Sequence, residues 1–166
     1  MSAQPNQIIA IRQAIITNFT NEMNNAGGNP NGRLTMIKAV GGSWVDGIAQ
    51  WPYIGVVPIR ERVSLTAKLQ KDLIVTWGIN TVVRSSISTE DAYNQLLTVL
   101  DDGGGNGVNA VLDSYSHFTL GGLVYASLRQ QTDYFDDLAK DRSSGTNQFA
   151  AYAMTQFETR TRLNVV

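Results

Sequence analysis

Apolar residues recur at Ile8, Ile11, Ile15, Phe19 and Met23, with Ile9 and Ile16 widening the stripe, and this spacing predicts an amphipathic helix from Pro5 to Asn24. Asn24 to Gly32 is a string of Asn, Gly and Pro that turns the chain. Arg33 to Val40 reads as a short strand stopped by Gly41 and Gly42, and Tyr53 to Ile59 as a second strand. Pro58 cannot donate to a ladder, which places it on an edge or at a strand end. Arg60 to Lys71 mixes charges with Val63, Leu65 and Leu69 and fixes no element.

The clearest strand is Lys71 to Ser85. Leu73, Val75, Trp77, Ile79, Thr81 and Val83 fall on one side of it and Thr76, Gly78, Asn80 and Arg84 on the other, so one side should face a core. Ser88 then resembles a helix cap, with Glu90 and Asp91 beside the positive end of the dipole. The helix it opens, Ser88 to Asp102, carries a stripe of Tyr93, Leu96, Leu97 and Leu100. After the glycine run at 103–107, Val108, Val111 and Leu112 give one or two further helical turns. His117 to about Gln130 and Gln148 to Leu163 read as long strands around an acidic loop, Gln131 to Asn147. The order helix, strands, helix, strands predicts one α+β domain over residues 1–166, an antiparallel or mixed sheet flanked by the two helices.

Sixteen extended residues from Gln148 to Leu163 would span about 50 Å at about 3.3 Å each, more than the roughly 40 Å across a compact domain of this length. Two outcomes are open: a strand that protrudes and continues a sheet into another chain, or one bent by a bulge within a monomer.

Composition narrows the function. Thirteen Lys and Arg stand against fourteen Asp and Glu, so no global field draws the chain to nucleic acid or anionic lipid. The absence of cysteine removes disulfides, thiolate metal sites and cysteine nucleophiles, and agrees with synthesis in a reducing cytoplasm. Met1 to Gln7 holds no Lys or Arg, and Arg12 and Gln13 interrupt Ile8 to Ile16, which argues against a signal peptide or membrane span and for a soluble protein. Only 16% of residues are charged, so much of the polar surface is uncharged, as on a surface covered by neighbours.

Few residues suggest chemistry. The glycine run follows a helix and its two carboxylates instead of opening one, and it lacks a P-loop's Lys and Ser or Thr, so it reads as a helix stop. His117, the single histidine, has no serine in a nucleophile elbow and reads as a strand-end residue. Asp133, Asp136, Asp137 and Asp141 do not follow EF-hand spacing, and Lys140 and Arg142 are interleaved; repeated around a ring, this loop would form a negative belt that keeps DNA from sticking to a channel wall. Arg160 and Arg162 share a strand face with Glu158, and Arg60 and Arg62 flank Glu61; such pairs grip a partner's carboxylate or a phosphate, or stay solvated. Trp44, Trp51, Tyr53 and Trp77 are core candidates; of these Trp44, in a glycine-containing loop, is also the candidate interface anchor, together with Arg160 and Arg162.

The N-terminal helix, the run Trp51-Pro52-Tyr53-Ile54-Gly55-Val56-Val57-Pro58 leading to a long strand, the helix from Ser88 and the strand pair His117 to Leu163 resemble the tail terminator (tail completion) proteins of long-tailed bacteriophages over nearly the whole chain. The chain departs from that pattern in a tryptophan-bearing insert, Gly32 to Gln50. The resemblance implies a virion protein without catalytic residues, cofactors or metals. It implies a homohexameric ring that caps the tail tube, stops tube growth and presents its other face to neck and connector proteins, with DNA only passing through a neutral or acidic channel. Two other readings are a head-tail adaptor or stopper, and a small ligand-binding or hydrolytic domain using the acidic loop as a metal site.

Overall fold

Strand β3 (Gln70–Ser85) and strand β5 (Phe149–Leu163) pair antiparallel over fifteen consecutive rungs, Lys71 with Leu163 through Ser85 with Phe149, without a register break. This computed structural model describes residues 5–24, 29–43, 50–67, 70–114, 119–135 and 149–163. On β3, Leu73, Val75, Trp77, Ile79 and Val83 point to one side, and on β5 Ala151, Ala153 and Phe157 join them in the main apolar cluster. The predicted alternation is present on both strands. Trp77 sits at the centre with its indole N–H donating to Thr159 Oγ1 at 2.8 Å, so its one polar atom is satisfied in the core.

Strand β2 (Tyr53–Ala67) pairs antiparallel with β3, and strand β4 (Ala126–Phe135) with β5. The three-residue β1 (Ala39–Gly41) lies parallel to β2 against Tyr53 to Gly55, giving the order β1-β2-β3-β5-β4 in one mixed sheet. With helices α1 (Pro5–Asn21), α2 (Thr89–Leu100) and α3 (Val108–Asp113), this is a single α+β domain. The buried residues of all three helices join the same apolar cluster, so the helices cover one face of the sheet. Among the described residues the other face carries no helix.

The helices follow from local chemistry. Pro5 starts α1, where its fixed φ suits a first turn, and Ile11, Ile15 and Phe19 are buried as their spacing requires. Ile9 is exposed and does not widen the stripe. The helix stops at Asn21 instead of Asn24 because Met23 bridges Leu34 and Asn24 N–H donates to the Leu34 carbonyl. Ser88 caps α2 by accepting from Asp91 N–H at 3.0 Å, as expected. Its buried residues are Ala92, Leu96, Val99 and Leu100, a stripe rotated from the predicted one, with Leu97 outside.

Three predicted strands differ in extent. Arg33 to Val40 shrinks to Ala39–Gly41, because Arg33 is held by Glu22 in a bidentate pair (3.1 and 2.6 Å) and Leu34 packs on the end of α1. The second strand continues from Ile59 to Ala67, through residues whose mixed sequence hid the pattern. The expected start at His117 lies outside the described residues; Leu120 to Gly122 form a 3₁₀ turn, with Gly121 and Gly122 at φ 71° and 90°, and the strand runs from Ala126 to Phe135, into the predicted loop.

The glycine run is a helix stop. Gly103 N–H donates to Asp101 and Gly104 and Asn106 N–H to Asp102, so the amides a phosphate would need are already occupied by this chain's carboxylates. The Asn106 side chain and those backbone amides hold the Asp102 carboxyl below its ordinary 3.8.

Trp77→Ala should lower the unfolding free energy by about 3–5 kcal/mol in urea titrations, whereas Leu65→Ala on the exposed part of β2 should change it by less than about 0.5 kcal/mol.

Candidate assembly interface

Strand β2 has two halves. Tyr53 to Val57 are buried; Pro58 to Val63 and Leu65 are exposed, with Val63 at 53% and Leu65 at 71%. A bulge at Ile59 separates them, since Pro58 faces Trp77 and Arg60 faces Thr76. A second bulge, between Arg129 and Thr132 on β4, meets β5 beside the same level, where Trp77 faces Phe157. The outer edge of β2 is paired with β1 only over three residues. Where β1 ends, Arg12 Nε donates to the Val56 carbonyl at 3.0 Å and closes the last protected position. Its guanidinium lies so close to Gly42 that a Cβ there would collide with Nη2, so Gly42 makes room for this cap. Beyond it no strand pairs with the edge among the described residues, as Pro58 suggested, and it carries Ile59, Val63 and Leu65, an arrangement that invites another strand.

The helix-free face next to this edge concentrates arginine. Along alternate rungs it presents Arg60, Thr76 and Glu158; then Arg62, Ile74 and Arg160; then Ser64, Asp72 and Arg162. The two arginine pairs, separate in sequence, thus face the same way, and Glu61 points to the opposite side. Glu158, only 7% exposed, accepts from Arg160 Nε at 2.9 Å and Gln130 Nε2 at 3.1 Å, with Arg62 Nη2 at 3.6 Å. Arg62 and Arg160 remain 59% and 46% exposed. The buried carboxylate thus holds two guanidinium groups that still have donors directed at solvent. Ile74, flanked by these arginines, is buried without a helix above it, in keeping with aliphatic stems lying over an apolar neighbour.

Two rungs further, Tyr125 O–H donates to Asp72 Oδ2 at 2.5 Å and Arg162 lies 5.2 Å from the tyrosine ring centroid. Asp72 is buried, and its Oδ1 has no hydrogen-bond partner among the described residues. The hydrogen bond to Asp72, burial and the Asp72 charge raise the Tyr125 pKa above 10.0.

Of the other residues singled out, Trp44, Asp136, Asp137, Asp141 and His117 lie outside the described residues. Asp133 is on β4, on the helix-free face opposite Met154, with Gln131 Nε2 at 3.1 Å. Trp77 and Tyr53 are buried, and Trp51 is half-buried under Arg84, whose guanidinium is 4.1 Å from the ring. Among the described residues no group of three His, Asp or Glu is placed to share a cation, and no helix is long and apolar enough to cross a membrane. Glu158 as the anchor of the arginines was accessible in the alternation of the last strand; Gln130 and Arg62 were not, because they meet it only through pairing. No protein-family model matches the chain, and no curated protein matches it either.

Tyr125→Phe should cost about 1 kcal/mol by removing the one described hydrogen bond to the Asp72 carboxylate. A raised pKa means that the bond contributes fully below the unfolded tyrosine's pKa near 10 and is lost as pH rises through the higher folded value. Phenolate absorbance should therefore show one tyrosine ionising late, and Asp72→Asn should bring it back toward the ordinary value.

Proposed function

We propose that this chain is a non-enzymatic virion protein, the tail terminator of a long-tailed phage. It assembles as a homohexameric ring on the last ring of tail-tube protein, ends tube growth and joins the tail to the neck. The observation that carries this reading is the outer half of β2, a strand edge unpaired among the described residues, with exposed Ile59, Val63 and Leu65 on an otherwise well-packed domain. An edge of that length is a liability on a solitary molecule and an asset on one that is always flanked.

The α+β element order and the long antiparallel strands agree with the resemblance in sequence. The work is done by binding alone. Each protomer offers a head-to-tail contact that closes after a full turn, and the completed ring no longer presents the surface the next tube ring needs. DNA passes through the channel without being held, and the remaining partners are neck and connector proteins.

Native mass measurement should find a species near six times 18.1 kDa, either free or formed on purified tube ends, which should then fail to elongate. A protein that stays at 18.1 kDa at millimolar concentration and leaves tube growth unchanged would sink the proposal.

A further inference from the structure

The two outer strands of this sheet are suited to each other. Besides the outer half of β2, the second edge with no strand beside it among the described residues is β4, which has neither proline nor lysine to protect it and carries exposed Leu128 and Tyr134. From β2 through β3 and β5 to β4 each strand runs opposite to its neighbour, so the two edges point in opposite directions. A copy placed beside β2 by rotation therefore offers its β4 antiparallel. Charge favours this partner over a second β2, because β2 paired with its own copy about Glu61 would set Arg60 against Arg62, whereas β4 brings Asp133.

The register follows from the rungs. Arg12 bonds the Val56 carbonyl from outside, so on β2 the outward backbone groups belong to residues whose side chains face the helices. Hydrogen-bonded and non-bonded pairs alternate from strand to strand along a rung, so across four antiparallel strands the same rungs open outward on β4. An incoming β4 must then be displaced by an even number of rungs, or its faces and its hydrogen bonds both mismatch.

With no displacement, Phe135 and Asp133 would lie level with Tyr53 and Gly55, where β1 already sits; a shift of two rungs leaves Phe135 level with Gly55. Four is the smallest shift that clears β1. Asp133 shares a rung with Asn80 and Arg60 with Thr76, four residues along β3, so this shift sets Asp133 directly opposite Arg60. Both belong to the helix-free face and meet in a non-hydrogen-bonded pair, where side chains approach most closely. Thr132 then faces Glu61, Arg129 faces Val63 and Ser127 faces Leu65.

We infer that copies of this chain join by pairing the outer half of β2 with β4 of the next copy, antiparallel and displaced by four rungs, with Arg60 opposite Asp133. The inference rests on the ring reading and adds its contact.

Because the chain has no cysteine, Arg60→Cys and Asp133→Cys can be combined in the full-length protein without background thiols. Non-bonded antiparallel positions about 4.5–5.5 Å apart suit a disulfide, whereas the two sites within one chain are separated by the width of the sheet. Mild oxidation of the double variant should give a ladder of covalent oligomers ending at the ring, and neither single variant should cross-link to itself. In a separate charge swap, Arg60→Asp should weaken assembly several-fold and added Asp133→Arg should restore it.

A ring of the right mass in which the double variant forms no disulfide between the two substituted positions, or Arg60→Cys alone cross-linking to itself, overturns the edge pairing and leaves the ring. Absence of any ring, with or without tubes, overturns both.

Discussion

The uninterrupted ladder between β3 and β5 is the constraint on which the rest of the molecule depends. Fifteen rungs without a register break align Trp77 with Phe157 and set Leu73, Val75, Ile79 and Val83 in a row that the helices must cover. Burial of this row supplies the main apolar contribution to stability, at roughly 25 cal/mol per Å² removed from water. Irregularity in the sheet is confined to its outer strands. The register shifts lie on β2 and β4; those at Pro58/Arg60 and Arg129/Thr132 flank the rungs around Trp77, so the sheet can bend there while its centre stays regular, and a third sits at the far end of β2 between Leu65 and Ala67.

That division also separates stability from contact. The helix-covered side of the central strands is finished, with its large side chains inside and the Trp77 indole satisfied. The outer half of β2 is unpaired on its outer side among the described residues. On the helix-free face, Glu158 and Asp72 are buried carboxylates beneath charged side chains that stay partly in water. A buried acid is costly unless surrounded by donors, and for Glu158 the donors come from β2, β4 and β5 at once. The network therefore ties the two outer strands to the centre at the end of the sheet where the edge is unprotected.

Much of this was legible in the sequence where one side of an element is wholly apolar. The alternation of β3 and β5, the Ser88 cap and the Ile11, Ile15 and Phe19 stripe all appear as expected, because each signal is local and repeated. The half of β2 beyond Pro58 was illegible for a physical reason. A strand exposed on both faces has no buried set to enforce a period of two, so Arg60, Glu61, Arg62 and Val63 show no pattern. The true start of β4 was hidden by Leu120 to Gly122, where glycines at positive φ make a turn inside an apolar run. The grouping of Arg60 and Arg62 with Arg160 and Arg162 depends on two strands meeting across a third, which no spacing along the chain can express.

Pro58 marks the open edge in one further way. Its rung is one whose backbone groups point outward, and proline has no N–H to offer there. A row of identical donors and acceptors lets a neighbouring chain slide by two residues at little penalty. A row with one missing tooth does not. The ring nitrogen thus serves as punctuation on an otherwise uniform edge, and makes indiscriminate stacking of strands less favourable than a single, phased arrangement.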